Sequence, residues 1–235
     1  MRKKLSLAVI AALSVVTLSS AASATINPND NALASFANTN VTPSTITVVS
    51  DPKGKPNASV TFVDPALKDS GNKTIVPNGD VYEVYDRSTY SDAGTTIVNY
   101  NVGPREKDVF LTSVPKGGTS TISGSRTVSA SLQISGNYNA NIASVVKWSV
   151  SGNATGSFSY TWTNSKVYTA PESVPFHRDY YGAVQYDEYS TRVNKVDIYK
   201  QYNGSKYVGE VQYNQGVVNT VISKKPKAIE YSIDF

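Results

Sequence analysis

From Thr121 to Thr163, apolar or small residues alternate with hydroxyl and amide residues almost without interruption. Ile122, Val128, Ala130, Leu132, Ile134, Tyr138, Ala140, Ile142, Val146, Trp148, Val150, Ala154, Phe158, Tyr160 and Trp162 all fall on even positions. Of the 22 odd positions, 20 are Ser, Thr, Asn, Gln or Lys, and only Ala143 and Val145 depart. A strand points successive side chains to opposite faces, so the pattern predicts a long β-ribbon over 119–163 with one oily and one hydroxylated face. A central turn near Asn139 would give two arms, 119–138 and 142–163, and the lapse at Ala143 and Val145 would mark that turn or a bulge. A four-strand meander using Gly136, Gly152 and Gly156 is the competing topology.

Short β-branched runs recur elsewhere. Ser44 to Ser50 and Ala58 to Val63 flank the breaker-rich 51–57 segment and read as a hairpin. Further strands fit 74–76, 81–85, 95–102 and 108–114, with Gly103-Pro104 as a break. After Ala170-Pro171 comes a Tyr-rich sheet over 179–235, in which strands 192–202 and 205–213 meet at Asn203-Gly204, a strong hairpin signal. The Asn214-Gln215-Gly216 turn then leads to strands 217–223 and 228–233. No segment sustains apolar positions at i, i+3, i+4 and i+7, so almost no helix is expected after the leader. The fold class expected is all-β: an elongated antiparallel sheet or sandwich carrying the Ser/Thr-rich amphipathic ribbon.

The first 24 residues read as a signal peptide. Arg2, Lys3 and Lys4 precede an apolar run from Leu5 to Leu18, and Ala22-Ser23-Ala24 supplies small residues for cleavage after Ala24. That predicts a secreted, extracellular product with a polar lead-in over 25–43 and a single all-β domain over 44–235. The formal charge of +4 changes accordingly, because discounting those three bases leaves 19 basic against 18 acidic residues. No basic footprint for nucleic acid remains. With no Cys and a single His, neither a disulfide framework nor a zinc site is expected, and no cofactor is implied.

Candidate chemistry is sparse. His177 follows Pro175-Phe176 and is placed to pair with Asp179, without a nucleophile-elbow motif nearby. Asp179, Asp187 and Glu188 cluster, but no spacing identifies an acid/base pair. No catalytic, cofactor-binding or metal residue is expected, and the protein is read as a non-enzyme. The candidate functional residues are the apolar row of the ribbon: Val128, Leu132, Ile134, Ile142, Val146, Trp148, Val150, Phe158, Tyr160 and Trp162. Under an ordinary sheet they form core; in an inserting hairpin they face lipid while Ser and Thr line water. Their aromatics, with the many Tyr after Tyr180, fit either core packing or a stacking platform for sugar rings.

The succession 114–119 (Val-Pro-Lys-Gly-Gly-Thr), the Ser/Thr ribbon, Phe158 to Thr163, Arg178-Asp179-Tyr180-Tyr181, Tyr186-Asp187 and 229–234 resembles small exported proteins of Bacillus-type Gram-positive bacteria. That resemblance implies secretion. More loosely, the Ser/Thr hairpin is similar to that of aerolysin-type pore-forming toxins. Two functions are therefore expected: surface contact at or outside the cell envelope, in a binding or structural role, or β-barrel pore formation through 119–163. The partners implied are a cell-wall glycan or a target membrane, with homo-oligomers only in the pore-forming case.

Overall fold

The computed structural model describes residues 45–64, 73–75 and 81–235. The chain divides at residue 40, and every described residue belongs to the unit that follows; the expected leader and lead-in lie outside the described residues. The described residues form an all-β fold with one short helix. Its elements are β1 (Thr45–Ser50), β2 (Ser59–Phe62), β3 (Lys73–Ile75), β4 (Val81–Pro115), β5 (Thr119–Thr121), β6 (Arg126–Ser131), β7 (Gln133–Ile134), α1 (Ala140–Ser151), β8 (Ser157–Trp162), β9 (Val167–Thr169), β10 (His177–Asn203) and β11 (Lys206–Asp234).

Three long strands form the frame. β10 lies between β4 and β11, antiparallel to both, and at β10's far end Asn203 pairs with Lys206. The hairpin thus stands where expected, but its two-residue turn is Gly204-Ser205, with Gly204 at φ 58°, one residue beyond Asn203-Gly204. At 27 residues and about 3.3 Å each, β10 is roughly 90 Å of strand. Several expected breaks do not interrupt it or its neighbours. The runs 81–85, 95–102 and 108–114 are one strand, and 205–213, 217–223 and 228–233 are another.

The turn residues became bulges instead. β4 spends 35 residues where β10 spends 27, with register shifts along most of its length. Asn101, Gly103 and Lys107 take positive φ within it, and Gly216 does so in β11. A bulge absorbs an extra residue without ending the pairing, and it also twists a free edge away from other chains. The expected hairpin of 44–50 with 58–63 is also corrected: β1 pairs with β11, and β2 pairs with β4. The intervening 51–57 segment connects two opposite edges of the sheet, so its breakers make a crossing rather than a tight turn.

The larger correction lies in the ribbon. Only β6 and β8 pair along it, and residues 140–151 form α1. The buried positions Ile142, Val145, Val146, Ser149 and Val150 follow helical spacing. Val145, one of the two lapses in the two-residue rhythm, is fully buried on that face. Asn139 caps the start, its side chain accepting the Ile142 amide at 2.9 Å, and Gly152 ends the helix at φ 74°.

Candidate functional site

Residues 116–176 leave the sheet at Pro115 and rejoin it at His177, which are paired with each other. This excursion has a neck, an arm and a helix. In the neck, β5 pairs with β9, Thr119 opposite Thr169. In the arm, β6 pairs with β8 from Arg126↔Trp162 to Ser131↔Ser157. Its odd positions are exposed, and hydroxyls meet across the strands at Thr127–Thr161 (2.8 Å) and Ser129–Ser159 (3.2 Å).

The even positions turn inward. Val128, Ala130, Phe158 and Trp162 are buried against Leu111, Val114, Val184, Tyr186 and Ala228 of the long strands. Tyr160 is half-buried and meets Trp162 edge-on at 4.9 Å. Leu132, Ile142, Val146 and Val150 belong to a second cluster with Tyr90, Tyr189, Val193 and Val221, and half-buried Ile134 packs against it. Trp148 is half-buried on α1, with the Lys55 ammonium 4.4 Å from its ring centre. The Lys55 amide donates to the Trp148 carbonyl at 3.0 Å, so the 51–57 crossing straps the helix. The apolar row therefore divides between two clusters rather than forming one face.

Those clusters lie on opposite sides of the sheet. Val184 and Tyr186 share one parity of β10; Tyr189 and Val193 share the other, while pairing with β11 runs unbroken from Arg178 to Val193. β6 and β8 thus cover one face and α1 covers the other. β7 pairs with the outer edge of β11, Gln133 opposite Lys224, where the excursion passes around it.

One polar cluster fastens the arm. Glu230 of β11 is buried and accepts the Trp162 indole N–H at 2.9 Å and the Tyr168 hydroxyl at 3.3 Å, and it is ion-paired with Lys166. Burial, then the Glu230 charge, pushes the Tyr168 phenol far above its usual range, so it stays a donor. The Trp162 ring lies where a side chain on Gly182 would be: a Cβ there would stand 2.5 Å from it. Beside the arm, a cleft of about 600 Å³ is lined by Glu106, Lys107, Ser129, Ser131, Ser159 and Tyr186, among others. Lys107 reaches across it to the Ser129 carbonyl.

The acids singled out in the sequence do not converge. Asp187 is buried, 2.6 Å from the Lys227 ammonium, and also accepts the Asn101 amide at 2.9 Å. Glu188 accepts the exposed Asn99 amide at 2.6 Å, and Asp179 stands 3.6 Å from His177. Sequence reasoning missed Glu230, which no motif marks. Its signal was the one charged residue in the closing strand, 228–233. Among the described residues, no group of three or more His, Cys, Asp or Glu could hold a metal ion. No helix among them is long and apolar enough to cross a membrane, which leaves strands unaddressed. No protein-family model, curated protein or solved structure matches this chain.

Proposed function

We propose that this is a secreted pore-forming protein whose excursion inserts into a target membrane as a β-hairpin. One observation carries the proposal: the register of β6 with β8, continued through the residues now in α1, keeps apolar and polar residues on separate faces from Val128↔Tyr160 to the tip, with Arg126 entering the apolar face only at the base. Val128↔Tyr160 and Ala130↔Phe158 lead on to Leu132↔Gly156, Ile134↔Ala154, Tyr138↔Val150, Ala140↔Trp148 and Ile142↔Val146. On the other face come Gln133↔Thr155, Ser135↔Asn153, Asn137↔Ser151, Asn139↔Ser149 and Asn141↔Lys147. The Leu132 amide already donates to the Gly156 carbonyl at 2.8 Å, the first rung beyond the present strands. Ala143-Ser144-Val145 would form the tip, so the lapse in alternation falls where alternation is not needed.

Physical chemistry favours the use. A spanning strand needs roughly 9–11 residues, and the continued arms reach from Val128 to Ile142 and from Val146 to Tyr160 without a charge on the apolar face. Their apolar face would meet lipid and the hydroxyl and amide face would line water, with backbone groups satisfied by closure into a barrel of several copies. The resemblance of the Ser/Thr hairpin to aerolysin-type toxins points the same way. Purified protein lacking residues 1–24 is expected to release dye from liposomes and to form SDS-resistant oligomers. Intact vesicles across lipid compositions, with only monomer recovered, would refute the proposal.

A second function, surface contact with envelope polymers, draws on the exposed Thr127–Thr161 and Ser129–Ser159 rungs beside the hydroxyl-lined cleft. It predicts retention on a wall-polysaccharide column without vesicle leakage.

A further inference from the structure

We infer that Glu230 is a latch whose release lets the excursion open while the long sheet stays intact; the inference about its use rests on the pore-forming proposal. Three donors converge on this one buried carboxylate, and all three belong to the excursion: the Trp162 indole N–H, the Tyr168 hydroxyl and the Lys166 ammonium. Its strand neighbours do not compete for it through charge, since Glu230 is paired with Gly182 on one side and Thr47 on the other. Burial makes each of these bonds depend on the rest. A carboxylate in a low-dielectric site is held only while its donors are present, and losing one partner costs more than a surface pair would.

Placement matters as much as strength. The donors come from the end of β8, the turn that follows it and β9, the limb by which the excursion returns to the sheet. Lys166 is half exposed, so solvent and ions reach the latch from that side. Gly182 opposite Glu230 gives the Trp162 ring its seat, and nothing covalent holds it there. Elsewhere the excursion is held by apolar contacts, by the two-residue β7 pairing, by the 51–57 strap and by scattered single hydrogen bonds, among them Tyr180 to the Thr169 carbonyl and Thr112 with Ser120. Glu230 is where charge-assisted bonds converge, three donors on one buried carboxylate, against the single exposed bond from Lys107 to the Ser129 carbonyl. An arm freed there would be open to exchange with solvent at β8 and β9 while the β10–β11 pairing persists.

The test is hydrogen exchange on Glu230→Gln and, as a milder change on the exposed side, Lys166→Met. Both are expected to speed exchange of β8 and β9 amides, tenfold or more for Glu230→Gln, while amides of the β10–β11 pairing keep wild-type rates. Unchanged exchange at β8 and β9, or acceleration spread evenly over all strands, overturns the latch. Should Glu230→Gln fail to fold, Lys166→Met alone decides by the same criterion. Vesicle leakage separates the two levels. A shorter lag before leakage in the variants supports the latch in its proposed use, and local exchange without leakage from any variant or wild type leaves the latch and removes the pore.

Discussion

Asp108 of β4 has a buried carboxylate oxygen with no hydrogen-bond partner among the described residues. Burial raises its pKa, against the opposing pull of the Tyr231 hydroxyl and the Arg105 guanidinium, which lies 4.0 Å from the Tyr231 ring centre. A raised folded-state pKa means that the fold prefers the protonated acid. Its contribution to stability is complete below the ordinary aspartate range and is lost as pH rises through the raised value. Asp108→Asn is therefore expected to stabilise the protein at pH 7 by roughly 1 kcal/mol, the scale of one poorly paired buried polar atom. The gain should vanish below about pH 3.9. Urea titrations at the two pH values check this, and an equal effect at both would refute it. Asp187 on the neighbouring strand shows the contrast, because Lys227 and the Asn101 amide meet its charge.

α1 is an element its own sequence supports poorly. Ile142, Val145, Val146 and Val150 are β-branched and lose side-chain freedom in a helix, and neither end carries a charge suited to the helix dipole. Packing on Tyr90, Tyr189 and Val193, with the two caps, holds it. Asn139→Ala removes the bond to the Ile142 amide and should lower unfolding free energy by about 1 kcal/mol. Because the cap is not needed in a hairpin, the same variant should leak vesicles faster than wild type. Slower leakage would show that the helix itself serves the membrane step.

At the scale of the whole described unit, the excursion is part of the core rather than an appendage. It supplies Val128, Phe158 and Trp162 to one cluster and most of the other, so deleting it would expose both sides of the sheet. A reversible lock is the better instrument. Gln133 and Lys224 are antiparallel partners, whose Cα atoms stand about 4.5–5.5 Å apart, within disulfide reach. The chain has no Cys, so Gln133→Cys with Lys224→Cys can form one bridge within the chain, the intended one. The oxidised double variant should fold and leave vesicles intact, and reduction should restore leakage to the wild-type rate. Leakage by the oxidised form would exclude insertion of this excursion.

Much of this was legible along the chain. The all-β class, the hairpin at 203–206, the two faces of β6 and β8, and the His177–Asp179 proximity are local properties, set by period, turn chemistry and spacing. The helix was not read, because 140–151 satisfies both periods: even positions alternate for a strand, while 142, 145, 146, 149 and 150 line a helix. A segment with both patterns takes whichever conformation its surroundings bury better, and here Tyr90, Tyr189, Val193 and Val221 provide the surface for the helix. Likewise Gly103 and Gly216 announce a positive φ, but whether the chain turns or bulges there depends on a partner strand far away in sequence. Glu230 depended on the same kind of knowledge. Residue order alone set the rhythm of the strands and the chemistry of their faces. Tertiary structure alone decided which strands paired, on which side each apolar residue was buried, and where three donors would meet one carboxylate, since all of these are contacts between distant segments.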